Sequence, residues 1–291
     1  MTESDSRHRN LEAMEIPELL RRMNQEDRSV AEVVAGALPE VARLAEAVLA
    51  GMQRGGRLFY LGAGTSGRLG VVDASECPPT FGVDFDKVIA LIAGGDGAIR
   101  KAVEFAEDDT EGGWRDLEVH GPGPNDTVVG LAASGRTPYV LGALAACRSR
   151  GIPTGCVTCN PGSPVLALSD YPVLLPVGPE FVTGSTRLKS GTAQKMVLNM
   201  LSTSVMIGLG FVQDHQMTHL RPGNNKLQDR ACRMIMKATG MDRDRAADYL
   251  QRYGRVHLAV DAYRTGLVQG TGPQDGLSVD QDTTNKDRPQ G

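Results

Sequence analysis

The sequence predicts an α/β protein built on a mostly parallel sheet that helices cover on both faces. Five short runs rich in apolar and β-branched residues follow Arg57, at positions 58–61, 88–92, 127–131, 155–158 and 171–177. Helical stretches long enough for crossovers separate the first four runs, and the last connection is short. Because strands that are buried on both faces read as near-continuous apolar runs, this alternation indicates parallel strands inside a layered fold.

Helical patterns flank these strands on both sides. Ahead of the first strand, apolar residues recur at helical spacing over 16–23 and again over 30–44, with a break predicted at 26–29. After the last strand, a long amphipathic helix is predicted over 186–209, followed by helices over 226–240, 242–253 and 256–263. The last two are expected to join at Gly254, and the tail from Gly270 has the polar composition of a disordered segment.

Composition predicts a cytoplasmic protein and excludes several classes of ligand. Aromatic residues make up 4% of the chain and the net charge is −4 with no run of Lys or Arg, which argues against nucleic-acid binding. No apolar run reaches the roughly 18 residues that a membrane span requires. Residues 1–10 lack the apolar core of a signal peptide. Five cysteines, an odd number, favour a reducing compartment over a disulfide framework.

A glycine-rich loop at residues 62–67, G-A-G-T-S-G, follows the first predicted strand and opens a helix. The pattern G-x-G-x-x-G is typical of dinucleotide sites, but such a site also needs an acid at the end of the second strand. Here that strand ends in Ala-Gly-Gly at 93–95. The loop carries Thr65, Ser66 and Arg68, whose hydroxyls and cation suit a phosphate monoester better than a pyrophosphate. A dinucleotide site and a purely structural turn stay open as alternatives.

Two further loops strengthen the phosphate interpretation. Residues 133–138 read A-S-G-R-T-P and residues 183–187 read T-G-S-T-R, and each loop opens a predicted helix with small hydroxyl residues and free backbone N–H groups. In an open parallel sheet such loops gather at the carboxyl edge of the strands, where ligands bind. Lys189 is expected to neutralise the phosphate. The predicted phosphate-binding residues are Gly64, Thr65, Ser66, Arg68, Ser134, Gly135, Thr137, Ser185, Thr186 and Lys189.

Longer stretches carry a resemblance to a known family. They are LGAGTSGRLG at 61–70, DASECPPT at 73–80, LIAGG at 91–95, AASGRTPY at 132–139, CNPG at 159–162 and VTGSTRLKSGTAQK at 182–195. Together they closely resemble the signature of the N-acetylmuramic acid 6-phosphate etherases, from about residue 19 to about residue 240. The octapeptide at 73–80 is far more specific than the glycine loop. After Leu209 the chain departs from the family pattern, most of all over 212–223.

The resemblance implies a fold, an assembly and a reaction. The implied fold is the SIS type, a three-layer αβα sandwich around a five-stranded parallel sheet, working as a homodimer. The domains would be N-terminal helices at 1–48, an SIS sugar-phosphate domain at 49–212, a diverged and shortened C-terminal helical region at 213–269 and the disordered tail at 270–291. The implied lyase reaction, part of cell-wall amino-sugar recycling, cleaves the D-lactyl ether of N-acetylmuramic acid 6-phosphate to N-acetylglucosamine 6-phosphate and D-lactate without metal or cofactor.

Carried over by position, the family's general acid falls on Glu76 and its second catalytic carboxylate on Glu107. The implied chemistry is β-elimination followed by hydration of the unsaturated aldehyde, which calls for two acids in opposite protonation states. Glu76 would protonate the leaving lactate oxygen and Glu107 would work at C2. Without the resemblance, Glu76 in its loop-like Ser-Glu-Cys-Pro-Pro context would be read as a solvated acid. Glu104 and Asp108 are the alternatives to Glu107.

Two other functions on the same fold stay open. An aldose–ketose isomerase would move a proton between C1 and C2 with one carboxylate and would not need Glu76. A non-catalytic sensor of the glucokinase regulatory protein type could lose either carboxylate, whereas this chain keeps both. Cys156 and Cys159 have C-x-x-C spacing but no second pair, and are read as core cysteines. His215 and His219 are four residues apart without the Glu of a zincin motif, so no metal site is predicted.

Overall fold

A computed structural model of the chain describes residues 2–217, 219 and 225–268, with residues 267 and 268 described as helix backbone alone. It divides into two compact units, residues 1–221 and residues 222–291. The predicted disordered tail at 270–291 lies outside the described residues. No helix in the described ranges is long and apolar enough to cross a membrane.

The first unit is organised around a sheet of five parallel strands, which confirms the predicted fold class. The strands are β1 (Leu58–Gly62), β2 (Val88–Ile92), β3 (Thr127–Leu131), β4 (Thr154–Thr158) and β5 (Tyr171–Leu174). Their order in the sheet is β2-β1-β3-β4-β5, and Leu58 of β1 pairs with Val88 on one side and Thr127 on the other. The fifth strand ends at Leu174, three residues before the predicted end.

Helices cover both faces of this sheet. They are α1 (Ile16–Gly36), α2 (Leu38–Gln53), α3 (Gly64–Phe81), α4 (Gly97–Arg100), α5 (Gly112–Glu118), α6 (Pro138–Ser149), α7 (Pro164–Ala167) and α8 (Lys189–Gly208). Short 3-10 helices lie at Leu11–Ala13 and Ala106–Asp108. Neighbouring residues of β1 point to opposite faces: Leu58 and Tyr60 belong to one apolar core and Phe59 and Leu61 to the other. The result is the expected αβα sandwich.

The predicted helix break at residues 26–29 is wrong. Helix α1 runs through this polar stretch, where the Ser29 hydroxyl donates to the Glu26 carbonyl instead of ending the helix. The chain breaks at Ala37, just before α2 begins. Pro39 explains the position, because its ring would clash with the carbonyl of Ala35 in a continuous helix and its nitrogen carries no hydrogen to donate.

A small hairpin follows α8, where no strand was predicted. It pairs β6 (Val212–Gln213) with β7 (Gln216–Met217), and its turn holds Asp214 at a φ of 56°. This hairpin occupies the stretch in which the sequence departs from the family pattern. Asp and Asn tolerate the left-handed region better than most residues, which makes the turn accessible to this sequence.

The second unit contains three helices, α9 (Asn225–Thr239), α10 (Arg243–Tyr253) and α11 (Val256–Val268). They pack on one another through small and apolar buried residues, among them Ala231, Ile235, Ala246, Leu250 and Ala259. The predicted junction at Gly254 is confirmed, and this glycine ends α10 at a φ of 70°. Asp242 caps α10 by accepting the Arg245 N–H.

Candidate active site

The strand order creates a crevice at one edge of the sheet. From β1 the chain crosses to β2 on one side, and it then returns to β3 on the other side of β1. The connections therefore leave the carboxyl ends of β1 and β3 in opposite directions, and ligands of open parallel sheets bind at such a switch point. The loops after β1 and after β3 hold the first two predicted phosphate loops, so both flank this crevice.

Glycines allow α3 to begin directly against β1. A Cβ on Gly62 would lie 2.8 Å from the Gly67 nitrogen, and a Cβ on Gly67 would lie 2.8 Å from the Gly62 carbonyl oxygen. Gly64 opens the helix at a φ of 52°. The N-cap residue Ala63 is extended and has no side-chain acceptor, so no side chain caps this end of α3. The helix thus presents N–H groups of the kind that bind anions.

Two predicted phosphate ligands in the first loop make hydrogen bonds within the protein. The Ser66 hydroxyl donates to Gln194 Oε1 over 2.8 Å, which ties α3 to α8. The Arg68 guanidinium donates to the carbonyls of Ile99 and Ala98 over 2.9 and 2.8 Å, which holds α4 beside α3. These contacts give both side chains a structural role. Their predicted role in phosphate binding stays a prediction.

The second loop is shaped by a left-handed glycine. Gly135 has a φ of 67°, and a Cβ there would lie 2.3 Å from the Ser163 hydroxyl. The Ser134 hydroxyl accepts the Arg136 N–H over 3.3 Å, and Thr137 is the N-cap residue of α6 without a side-chain cap bond. The loop thus carries hydroxyls beside an uncapped helix start, as predicted for an anion site.

The third loop differs from its prediction, because an internal carboxylate already caps the helix that it opens. Glu180, which is 1% exposed, accepts the backbone N–H groups of Lys189 and Ser190 over 2.9 Å each and the Ser190 hydroxyl over 2.6 Å. The expectation of free N–H groups at the start of α8 is therefore wrong. The hydroxyls of Ser185 and Thr186 stay predicted ligands.

The environment of Lys189 also differs from its prediction. Its side chain is 3% exposed, and its ammonium group lies 2.5 Å from Glu26 Oε2 on α1. The lysine charge is therefore balanced inside the protein, and its contacts do not support the predicted role on a phosphate. Burial acts to raise the pKa of Glu26, but the Lys189 ammonium and His8 together hold it below its usual range. Sequence reasoning missed Glu26 and Glu180, because no local motif indicates that either residue binds the start of α8.

Glu107 shares a cavity with the first loop. The cavity, of about 170 Å³, is lined by Ala63, Gly64, Arg68, Ala93, Ala98, Ala102, Val103, Glu104, Phe105 and Glu107. Glu107 lies in the 3-10 helix Ala106–Asp108 that follows Phe105, a residue with a φ of 60°. The structure thus brings Glu107 and its alternative Glu104 to the open end of α3, while Asp108 does not line this cavity.

Glu76 lies on a helix and not, as expected, in a loop. Helix α3 continues through Pro78 and Pro79 and ends at Gly82, which has a φ of 71°. Each proline lacks the N–H that would donate to the carbonyl four residues earlier, and the last helical residue comes two positions after Pro79. Glu76 is exposed and stands twelve residues after Gly64, roughly 18 Å along the helix axis at 1.5 Å per residue. Glu76 is not among the residues that line the cavity of Glu107.

A buried acid, Asp73, lies one turn before Glu76 on α3 and joins this helix to the core. Its carboxylate accepts the Tyr60 hydroxyl over 2.9 Å and the Ser202 hydroxyl over 3.1 Å, joining α3 to β1 and α8. Burial raises the pKa of Asp73 to about 6, while the two hydrogen bonds act to lower it. In the sequence, Asp73 stands out only as the first residue of the octapeptide, because its partners Tyr60 and Ser202 are distant in the chain.

Several known proteins are similar to this chain over almost its whole length, and they share one name. It is 53% identical to an N-acetylmuramic acid 6-phosphate etherase of Porphyromonas gingivalis over 264 residues, which cover 91% of this chain and 96% of the relative. A protein of the same name from Bacteroides fragilis is 51% identical, with coverage of 91% and 95%. One from Cronobacter sakazakii is 54% identical, with coverage of 89% and 87%.

Family models and solved structures agree with this result. Residues 40–148 match the glucokinase regulatory protein N-terminal SIS domain, and residues 122–204 match the SIS domain. A Francisella tularensis phosphoheptose isomerase of known structure has a TM-score of 0.51 at 16% identity, covering 67% of this chain and 99% of that one. A solved protein of E. coli CFT073 has a TM-score of 0.51 at 17% identity, with coverage of 69% and 96%. At this identity the solved structures support the fold alone.

About half of the residues of this chain are identical in these relatives, over about nine tenths of its length. The chain belongs to the family of N-acetylmuramic acid 6-phosphate etherases.

Proposed function

We propose that this chain performs the reaction for which its family is named. As a carbon–oxygen lyase, it cleaves the D-lactyl ether of N-acetylmuramic acid 6-phosphate and yields N-acetylglucosamine 6-phosphate and D-lactate in cell-wall amino-sugar recycling. The observation that carries the proposal is the cavity that Glu107 shares with the uncapped N-terminus of α3. A phosphate at the N–H groups of α3 would leave the sugar within reach of a carboxylate.

The chemistry divides between two carboxylates. In the open-chain aldehyde, the C2 proton is acidic, and Glu107 removes it. The electron pair then forms the C2–C3 double bond as the C3–O bond to lactate breaks, and Glu76 protonates the departing oxygen. Water adds to C3 of the unsaturated aldehyde and a proton returns to C2, which completes a balanced elimination and hydration. The net reaction consumes one water and needs no oxidant or reductant.

The position of Glu76 outside the cavity of Glu107 supports a homodimer with shared sites. Glu76 is exposed on α3 and lies roughly 18 Å along the helix from Gly64, farther than a glutamate side chain can reach across one sugar. We therefore propose that Glu76 of one protomer serves the cavity that holds Glu107 of its partner. A twofold arrangement would complete both sites at once.

A cytoplasmic location is part of the proposal. All five cysteines are buried and unpaired in the described residues, as expected in a reducing compartment.

One experiment tests the reaction and its acid and base. Release of D-lactate from N-acetylmuramic acid 6-phosphate is measured for the wild type, Glu76→Gln and Glu107→Gln, with Ser75→Ala on the same helix as the control. Loss of general acid or base catalysis is expected to lower kcat by about 10²- to 10⁴-fold. Folded wild-type protein that released no lactate would refute the proposed reaction. If Glu104→Gln were the inactive variant and Glu107→Gln active, the base would be Glu104.

Mixed dimers test the shared site. Glu76→Gln and Glu107→Gln chains are co-expressed with two different tags, and dimers that carry both tags are purified. Each such dimer has one site with both carboxylates and one site with neither, so about half of the wild-type activity per dimer is expected. Mixed dimers as inactive as the parent variants would place both carboxylates in one chain's site and refute the sharing.

A further inference from the structure

The segment Thr2–His8, called the clasp below, precedes the first helix, yet two of its polar residues are buried. Thr2 is 0% exposed and Ser6 is 7% exposed. Segments at the periphery of a domain are poorly ordered unless other parts of the fold hold them. Buried polar groups need hydrogen-bond partners, and those of the clasp lie on the loops at the carboxyl edge of the sheet. The contacts of the clasp therefore bear on the site that these loops form.

One end of the clasp is fixed to the loops after β3 and β4. The Thr2 backbone N–H donates to Asn160 Oδ1 over 3.0 Å, and Asn160 Nδ2 donates back to the Thr2 hydroxyl over 2.8 Å. The same Asn160 nitrogen donates to the Ala133 carbonyl over 2.9 Å. Ala133 directly precedes Ser134, so Thr2 and Asn160 together brace the second predicted phosphate loop.

The other end is fixed to the segment that leads into α8. The Ser6 hydroxyl donates to the Phe181 carbonyl over 2.7 Å, and the Ser6 N–H donates to the Thr183 hydroxyl over 2.9 Å. The His8 ring lies 4.6 Å from the Phe181 ring. Ser6 thus braces the start of the third predicted phosphate loop.

A chain of charges continues from the clasp into the core. His8 Nε2 lies 3.1 Å from Glu26 Oε1, and the other oxygen of Glu26 binds the buried Lys189 ammonium at the start of α8. Glu180, one residue before Phe181, caps the same helix end. The third loop is therefore held between the clasp on one side and this capped helix on the other.

We propose that the clasp is a working part of the sugar-phosphate site and that Ser6 is a positioning residue. By bonding to Ala133 through Asn160 and to Phe181 and Thr183 through Ser6, it sets the spacing between the second and third loops. These loops hold the non-reacting parts of the substrate, so the clasp acts on affinity more than on the chemical step. The inference rests on the proposed function.

The test compares Ser6→Ala with Asp5→Ala, whose carboxylate forms an exposed pair with Arg9. Three quantities are measured: KM and kcat for D-lactate release, the Kd of N-acetylglucosamine 6-phosphate by calorimetry, and Tm. For Ser6→Ala, KM and Kd are expected to rise about fivefold to tenfold, the effect of one buried hydrogen bond, with kcat within about twofold of the wild type. Asp5→Ala is expected to match the wild type.

A second variant, at the other end of the clasp, shows whether the effect of Ser6→Ala is confined to the surroundings of Ser6. Thr2→Val removes the hydroxyl that accepts from Asn160, and it is expected to raise KM and Kd in the same direction as Ser6→Ala. Unchanged KM and Kd in both variants, with or without a lower Tm, would overturn the inference and leave the clasp a structural anchor. Wild-type protein that neither releases lactate nor binds N-acetylglucosamine 6-phosphate would instead overturn the proposed function.

Discussion

Helices α3 and α8 begin at the same edge of the sheet after loops of similar composition, yet their N-termini are in opposite states. Helix α3 follows Ala63 and receives no side-chain cap, whereas α8 carries the buried Glu180 carboxylate on its first N–H groups. Both loops satisfy the same sequence rule for an anion site. A sequence pattern for an anion site therefore does not show whether an acid of the same chain already occupies the helix N-terminus.

The largest effect is expected from removing the internal anion of α8. Glu180→Ala leaves the Lys189 and Ser190 donors buried without an acceptor, which should lower the free energy of unfolding by about 4 kcal/mol. Urea unfolding measures the loss. Added formate is expected to raise the Tm of the variant more than that of the wild type, since it can refill the vacated carboxylate position. A variant as stable as the wild type would contradict the role of Glu180 as the internal anion of α8.

The converse change gives α3 the anion that it lacks. Ala63 has the extended backbone of an N-cap residue, so Ala63→Asp is expected to cap the helix and place a negative charge where the phosphate would bind. KM for the sugar phosphate should rise on the order of 100-fold without a fall in Tm. Ala63→Asn, which caps without charge, is the matched control and should raise KM less. Equal KM values for Ala63→Asp and the wild type would contradict an anion site at α3.

The smallest effect concerns the link between the two helices. The pKa of Asp73 is about 6 in the folded protein against an ordinary 3.8, so the folded state holds this proton more tightly than the unfolded state. The wild type should therefore lose stability relative to Asp73→Asn as the pH rises from about 4 to about 6, on the order of 2–3 kcal/mol. Urea unfolding of both proteins across this range measures it. A constant difference between them would show that Asp73 is not perturbed.

Much of the fold followed from local patterns. The five apolar runs predicted the strands to within a few residues, and glycines at positions such as 62, 67 and 254 marked where a side chain could not fit or where the backbone turns left-handed. Patterns of this kind depend on residues close in the chain. The predicted break at 26–29 was wrong because a polar stretch alone does not end a helix. The helix ends later, near Ala37, where Pro39 prevents a continuous helix.

The candidate site was predictable in residue type but not in arrangement. The octapeptide identified Glu76, but its spacing did not indicate that Glu76 is exposed on a helix and outside the cavity that Glu107 lines. The phosphate loops were recognisable one at a time, whereas the contacts of Lys189 with Glu26, and of Ser66 with Gln194, join residues more than 100 positions apart. Such partners are chosen by packing, which a local pattern does not encode.

Local sequence features specify the layered α/β class, the positions of the strands, the loops at their carboxyl ends and the family to which the acidic octapeptide belongs. These properties rest on periodicity, glycine geometry and short motifs, all of which act over a few residues. The tertiary structure adds that Glu180 occupies the first N–H groups of α8 while Ala63 leaves the start of α3 without a side-chain cap, because Glu180 reaches α8 only through the fold. It likewise decided that the segment Thr2–His8 braces the loops of the site, since hydrogen bonds across more than 150 residues exist only once the chain has folded.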